Sequence, residues 1–324
     1  MFTFQYYIRF FCFIIPGFFV LQNVLAQPVP GIEENISFLV TFGINAPADW
    51  GDDDHCSVFF FSLPAKHIKP FYIRIFDPNV SGKHDEQKGT FDTRTRFAVY
   101  GGTGAFSNES SQGTNPEKGF DTGVLLMEKT FDNSDKYDDK WYTLGPFNPK
   151  EGERLTRAES DLNYFKIIVQ GISGDDGNLY KMYYSDYPDK NQTVEGGASF
   201  TFEYTFRMKP GMAHLYPFID NTVLRIRQQN FDFDDDGYVR LVSVSRKSEM
   251  AQISRDGEWG RSDHLIYEAE RNFCMDIQVV SLVQRRNNNV VFSIHNQYGE
   301  ALPFLNIPIG IERIENYIRI RKNR

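Results

Sequence analysis

The sequence has few cysteines, and beyond its first 26 residues it has no apolar run long enough for a transmembrane helix. Three cysteines occur among 324 residues, and no C-x-x-C spacing is present, which argues against a thiol redox site or a cysteine-rich zinc site. Beyond residue 26 no segment approaches about 18 consecutive apolar residues, so no further transmembrane helix is expected. Acidic residues outnumber basic ones, 43 to 35, and this excess disfavours nucleic acid as a partner.

Catalytic signatures are also missing. The chain contains no H-E-x-x-H motif, no P-loop and no G-x-S-x-G nucleophile elbow. The glycine-rich segment 100–104 is not followed by a helical pattern, so it is predicted to be a loop and not a phosphate site. We therefore predict no catalytic residue. A secreted glycan hydrolase or lyase, which needs two carboxylates at a fixed separation, is retained as an alternative.

Residues 1–26 have the features of a secretory signal peptide. Arg9 precedes an apolar run from Phe10 to Leu21, and Val24-Leu25-Ala26 supplies compact residues at the expected cleavage site. The run is shorter than the roughly 20 residues of a transmembrane helix, although an uncleaved anchor is the alternative. The sequence thus predicts an exported protein (periplasmic, cell-surface or extracellular) with no transmembrane anchor after cleavage.

Export makes a disulfide between Cys56 and Cys274 chemically permissible. The two residues are far apart in sequence, and each lies next to a predicted strand. The alternative is a pair of buried thiols that behave as small apolar side chains.

The body of the chain is predicted to be all-β. Short segments rich in β-branched and aromatic residues recur between clusters of Gly, Pro, Asn and Asp, and no long 3.6-residue apolar period is found. Only segment 151–163 has a pattern compatible with a short helix. The predicted strands are Ser37–Phe42, Ser57–Leu63, Phe71–Phe76, Arg96–Tyr100, Gly123–Thr130, Trp141–Leu144, Tyr164–Gln170, Leu179–Tyr184, Ser199–Arg207, Val223–Arg227, Tyr238–Ser245, Cys274–Val283, Val290–His295 and Leu302–Ile309.

The order of these segments predicts two consecutive β-sandwich domains of the jelly-roll or immunoglobulin-like type. An extended segment, 27–36, precedes a first sandwich over 37–208. Pro210 and Gly211 end the alternating strand at its close. A second, smaller sandwich covers 209–324 and ends in a basic tail.

The strongest chemical motif is an acidic loop, Asp232-Phe-Asp-Asp-Asp-Gly237. Asp232, Asp234 and Asp236 alternate, which turns three carboxylates towards one centre, and Gly237 permits a sharp turn. The Tyr238 carbonyl supplies a further candidate oxygen. Because calcium prefers about six to eight oxygen ligands, the sequence predicts a calcium site here, completed by oxygens from elsewhere.

A helix–loop–helix calcium site is not expected. Ser243 stands at the twelfth loop position, where Glu is normal, and a strand follows Gly237. The missing ligands are assigned provisionally to Asp235 and Asp220. The alternative is a solvated acidic turn, because Asp and Gly are also common turn residues.

Weaker acidic clusters occur in the first predicted sandwich. They are 52–54, Asp77-Pro78-Asn79 with Asp85-Glu86, and Gly174-Asp-Asp-Gly-Asn178. Each is a calcium candidate at the rim of a sandwich, and turn chemistry is the alternative for each.

Several phrases together carry a family resemblance: Gly51-Asp-Asp-Asp54, Phe71-Tyr-Ile-Arg-Ile-Phe-Asp-Pro78, Tyr100-Gly-Gly102 and Val169-Gln-Gly-Ile-Ser-Gly-Asp-Asp-Gly177. In this order they resemble secreted β-sandwich modules of bacterial envelope and exported proteins, of the pre-peptidase C-terminal or carbohydrate-binding type. The resemblance covers roughly residues 37–207. It implies a module that stabilises, displays or binds, and it assigns no catalytic residue.

The sequence therefore predicts an exported, non-catalytic calcium-binding protein with a structural or adhesive role at the cell envelope. Its expected partner is an envelope component, either protein or glycan. The first alternative is a carbohydrate-binding module that uses an exposed aromatic ring. Trp259 is the candidate, because it lies in the predicted loop Asp256-Gly-Glu-Trp-Gly260.

Overall fold

The computed structural model describes residues 28–50, 55–114, 119–157, 160–283 and 289–309. The predicted signal peptide, the acidic cluster 52–54 and the basic tail lie outside these ranges. The described residues form strands and short 3₁₀ turns with no α-helix among them, which confirms the all-β prediction. Within the same ranges, no helix is long and apolar enough to cross a membrane.

Twenty-two strands make up the described chain. The strands are β1 Pro28–Val29, β2 Leu39–Phe42, β3 Cys56–Pro64, β4 Phe71–Phe76, β5 Arg94–Gly101, β6 Val124–Phe131, β7 Trp141–Phe147, β8 Glu153–Arg157, β9 Ser160–Ser173, β10 Gly177–Ser185, β11 Ala198–Thr201, β12 Glu203–Arg207, β13 Gly211–Leu215, β14 Phe218–Ile219, β15 Arg225–Phe231, β16 Gly237–Val242, β17 Glu249–Ala251, β18 Trp259–Leu265, β19 Phe273–Cys274, β20 Asp276–Ser281, β21 Asn289–Asn296 and β22 Phe304–Leu305. The 3₁₀ turns are Ile32–Glu34, Glu109–Gln112, Asp135–Tyr137, Pro149–Glu151 and Glu268–Glu270.

All pairings between these strands are antiparallel, and they form two large and two small sheets. The nine-stranded sheet has the order β18-β15-β21-β12-β2-β10-β4-β7, with β1 also paired to β10. The seven-stranded sheet has the order β22-β11-β3-β9-β5-β6, with β8 paired to β9. The small sheets are β13-β20-β16-β17 and β14-β19.

The main core contains residues of both large sheets and of the four-stranded sheet. Phe59 and Phe61 of β3 contribute to it together with Tyr204 of the other sheet, whereas Val58 and Phe60 belong to a second core on the opposite face of β3. β3 is thus covered on both sides, which is typical of a continuously apolar segment. Aliphatic and aromatic burial on both faces is the dominant stabilising contribution to such packing.

The alternating segment 199–207 does not form one straight strand. It is divided at Phe202 into β11, which pairs with β3, and β12, which pairs with β2 and β21. Oγ1 of Thr201 lies 2.7 Å from the carbonyl oxygens of both Val58 and Glu203, so its single proton is donated to one or the other at the bend. The four aromatic residues of this segment are all buried, and they are divided between two cores.

One local prediction needs correction, and one open alternative is decided. The segment expected to hold a short helix contains β8 and the start of β9, which pair as a hairpin from Glu153 opposite Tyr164 onwards. Its polar side chains suit β8 because that strand borders solvent along its outer edge. Cys56 and Cys274 are buried free thiols, which is the alternative to the disulfide. Burial raises the pKa of Cys56 to about 12 and that of Cys274 to about 11.

Strands from both sides of the predicted boundary at Met208 share the nine-stranded sheet. β12 pairs with β21 from Glu203 opposite Ser293 to Arg207 opposite Asn289. The main core likewise includes Phe206 and Val290. The boundary is thus crossed by sheet pairing, and the division into two domains stays a prediction.

A buried carboxyl group ties the N-terminal segment to this core. Oε2 of Glu34 accepts hydrogen bonds from the backbone N–H of Gly31 at 2.5 Å and from the hydroxyl of Tyr204 at 3.0 Å. Glu34 is 0% exposed. Burial raises its pKa to about 8 against the lowering effect of the Gly31 and Tyr204 hydrogen bonds.

We expect Glu34→Gln to flatten the pH dependence of stability. The raised pKa means that Glu34 contributes stability fully below about pH 4.5, and that this contribution is lost as pH rises through about 8. The amide keeps the acceptor oxygen but cannot ionise. Denaturant unfolding at pH 5 and pH 9 should show a smaller loss of unfolding free energy in the variant, by a few kcal/mol at most. Glu33→Gln, at an exposed neighbour, is the control, and equal pH profiles for wild type and Glu34→Gln would contradict the assignment.

Candidate functional site

The acidic motif lies in the turn between β15 and β16. Phe233 is completely buried in the main core, so the turn is anchored at its second residue with an acidic side chain on either side. Asp232, Asp234 and Asp235 all have positive φ angles, of 58°, 60° and 56°. Asp and Asn tolerate this left-handed conformation better than most residues, which explains why an acidic sequence suits this tight turn.

A second turn, between β17 and β18, packs against the first. The hydroxyl of Ser254 accepts a hydrogen bond from the Phe233 backbone at 2.8 Å, and the Ser254 carbonyl accepts one from the Asp235 backbone at 3.1 Å. The backbone N–H of Gly257 donates to Oδ1 of Asp232 at 3.1 Å. These contacts fix the two turns side by side.

Three carboxylates converge where the turns meet. Asp232, Asp234 and Asp256 each offer one ligand oxygen, and these oxygens lie within 4.8 Å of one another. Asp232 is buried, Asp234 is half-buried and Asp256 is exposed. The group is therefore an oxygen-only ligand set that is open to solvent on one side, and oxygen donors are the ligands that calcium prefers.

The electrostatics of this group favour a positive ion. The pKa of Asp232 is raised to about 7, chiefly by burial and also by the charges of Asp234, Asp256 and Asp49, while the backbone hydrogen bond from Gly257 lowers it. A carboxylate in this position is costly to ionise without a counter-charge. A bound cation would supply that charge.

Asp232 and Asp234 are thus brought together as predicted, whereas Asp236 lies outside the three-residue group. The backbone N–H of Asp236 donates to the carbonyl of Phe233, and its carbonyl accepts from Leu282 at 2.9 Å. Tyr238 is in β16 opposite Val280, and its carbonyl stays a predicted ligand.

Gly237 is needed for a different reason from the one predicted. Its φ is not positive, but a Cβ at this position would lie 1.8 Å from the carbonyl oxygen of Val280. Close approach of two strands, and not a turn dihedral, excludes a side chain here.

Asp256 was missed by the sequence analysis. It is 20 residues or more from Asp232 and Asp234 in the chain, and its Asp-Gly pair is an ordinary turn signal. Of the two provisional ligands, Asp235 forms an ion pair with Arg255 at 3.4 Å, and Asp220 accepts hydrogen bonds from Thr222 in its own turn.

The acidic cluster at Asp175 and Asp176 has a structural explanation. Oδ1 of Asp176 accepts from the backbone of Lys88 at 2.8 Å, and Oδ2 accepts from Asp92 and Thr93 at 2.8 and 3.2 Å. Three backbone donors satisfy this carboxylate, so it fixes the 88–93 loop. One oxygen each of Asp92, Asp175 and Asp176 also lie within 4.8 Å of one another, so calcium binding here stays a prediction.

Trp259 was expected to lie in a loop, but the structure places it in a strand. It is the first residue of β18, opposite Phe231 of β15, and the two rings are 5.3 Å apart. At the other end of the same strand pair is a polar cleft of about 190 Å³. It is lined by Arg225, Arg227, Gln229, Asp263, His295 and Gln297.

Comparison with known proteins adds no family to these observations. No model of a protein family matches the chain, and a search of curated proteins finds no significant match. The resemblance to secreted β-sandwich modules stays a prediction, and functional inference depends on the residues themselves.

We expect Asp256→Asn to reduce calcium-induced stabilisation as strongly as Asp234→Asn does, because both remove a charge from the same ligand group. Differential scanning calorimetry with and without calcium measures the effect. Asp235→Asn is a matched control in the same turn, since Asp235 faces Arg255. A calcium response lost in Asp235→Asn but kept in Asp256→Asn would contradict the ligand set.

Proposed function

We propose that this chain is an exported, non-catalytic calcium-binding β-sandwich protein with a structural or adhesive role at the cell envelope. The observation that carries the proposal is the convergence of Asp232, Asp234 and Asp256 within 4.8 Å. The predicted signal peptide supports export, and calcium is abundant enough outside cells to occupy sites of modest affinity.

Bound calcium would cross-link two turns. Asp232 and Asp234 belong to the turn before β16, and Asp256 belongs to the turn before β18. β15 and β18 pair at one edge of the nine-stranded sheet, and β16 belongs to the four-stranded sheet. An ion bound by all three carboxylates would therefore connect these two sheets. The proposed role is thus rigidity at a surface that an envelope protein or glycan contacts.

Calcium should raise the thermal stability of the purified chain, because an ion that binds only the folded state stabilises it by mass action. The increment is about 2.7 kcal/mol when free calcium is a hundredfold above its dissociation constant. Thermal unfolding with calcium and with a chelator measures it, and Asp234→Ala should abolish it. An unchanged calcium response in Asp234→Ala would refute the site, and no response in wild type would refute the proposal.

A second candidate function, glycan binding, is favoured by the polar cleft between β15, β18 and β21. Arg227 and Asp263 form an exposed bidentate pair along one wall, with N–O distances of 2.9 and 3.0 Å. Tyr298, adjacent in sequence to the lining residues Gln297 and Gly299, is 74% exposed. Charged and amide groups beside an exposed ring are a suitable combination for a sugar.

Glycan binding at this cleft should be lost in Tyr298→Ala and retained in Trp259→Ala. A glycan array probed with both variants makes the comparison, since Trp259 begins β18 whereas Tyr298 follows β21, between the cleft residues Gln297 and Gly299. If binding is lost in Trp259→Ala instead, the glycan contact is Trp259, as the sequence predicts, and not the cleft. No binding by the wild-type chain would remove this candidate.

A further inference from the structure

A second group of ligand-forming side chains lies in the nine-stranded sheet, at the end of β4 away from the calcium candidate. Asp77 follows β4 directly, His84 lies in the loop that continues from it, and Asp139 precedes β7. Because β4 and β7 pair, with Phe76 opposite Trp141, these segments meet at one end of the strand pair. One ligand atom from each residue lies within 4.8 Å of the other two.

The Asp77 carboxylate is buried, and one of its oxygens lacks a hydrogen-bond donor among the described residues. Its side chain is 2% exposed, and Oδ1 has no hydrogen-bond partner among the residues that the structure describes. The backbone of Asp139 donates to the same carboxylate, which leaves Oδ1 to be satisfied by something else. A buried carboxylate oxygen without a donor is costly, and a metal ion is a group that would satisfy it.

Aromatic packing holds the His84 imidazole at this place. Its ring centroid is 4.7 Å from that of Phe38 and 6.4 Å from that of Phe76. Nε2 of His84 lies 2.8 Å from Oδ1 of Asp139. The nitrogen and the carboxylates therefore adopt this close arrangement in the fold before any ion binds, which reduces the ordering cost of binding.

Negative charge is in excess around the group. Asp138 and Asp85 lie close enough to Asp77 for their charges to matter, and burial together with Asp138 raises the pKa of Asp77 to about 7. The balancing cation in the cluster is Lys83, whose Nζ lies 2.7 Å from Oδ2 of Asp139 while 69% of its side chain is exposed. This flexible ammonium group reaches the exposed carboxylate and leaves Oδ1 of Asp77 without a partner.

We propose that Asp77, His84 and Asp139 bind a divalent first-row transition metal of the zinc type. The imidazole decides the class, because nitrogen and carboxylate ligands suit zinc, whereas calcium is bound through oxygen alone. Binding exchanges the contact between His84 and Asp139 for two bonds to the metal, and any proton on the coordinating nitrogen is released. The site uses no residue of the Asp232 loop, so the two metal proposals stand independently.

Isothermal titration of the chain with Zn²⁺, in the presence of excess calcium, tests this proposal. We expect one zinc equivalent in wild type, and an affinity lower by about tenfold or more in both Asp77→Asn and His84→Gln. Asp234→Asn should leave zinc binding unchanged. Conversely, His84→Gln should leave the calcium response of the Asp232 loop unchanged, so failure of one site is distinguishable from failure of the other.

His214→Gln is the matched control for adventitious binding by histidine. His214 also pairs with a carboxylate, Asp276, at 2.8 Å, and its side chain is 25% exposed against 24% for His84. Lys83→Gln removes the competing cation and should strengthen zinc binding. The proposal is overturned if zinc does not bind, if His214→Gln weakens it as much as His84→Gln does, or if calcium and not zinc is lost in Asp77→Asn.

Discussion

The passage of the chain from one large sheet to the other at Thr201–Glu203 is the constraint on which the rest of the structure depends. A single segment provides β11 to the seven-stranded sheet and β12 to the nine-stranded sheet. The Thr201 hydroxyl fixes the bend through Val58 and Glu203. Residues of both large sheets therefore contribute to the main apolar core. β12 then positions β21, β21 positions β15, and β15 leads into the acidic turn.

Several buried charged groups in the described part of the chain obtain their hydrogen bonds from the protein's own polar atoms. Glu153 accepts from the backbone of Gly104, Phe106 and Ser107, and Asp176 is satisfied in a similar way. Lys166, which is 0% exposed, donates to Ser111 and to the carbonyls of Phe120 and Thr122. Such groups fix loops through the protein's own polar atoms. They explain much of the acidic and polar sequence between the strands without any ligand.

The two candidate metal sites differ from these groups. At Asp232 several carboxylates share one small region, and at Asp77 a buried oxygen is left without a donor. Ionisation is unfavourable at both until a positive charge arrives, and burial raises both pKa values to about 7. The chemistry of the remaining ligands then separates them, because one group contains oxygen only and the other includes an imidazole. Both lie where segments distant in sequence meet, so an ion at either would join parts of the chain that only the fold brings together.

The sequence by itself determined the all-β class, most strand positions, the double-sided burial of β3 and the acidic turn after β15. These properties follow from local patterns: side-chain alternation, β-branched and aromatic enrichment, and turn residues. Tertiary structure decided what depends on contacts between distant segments. It joined Asp256 to Asp232 and Asp234, moved Trp259 from a predicted loop into β18, kept the two cysteines apart and divided the 199–207 strand between two sheets. A residue's neighbours across a sheet or between two turns are set by the packing of the whole core, and no local pattern in the sequence carries that information.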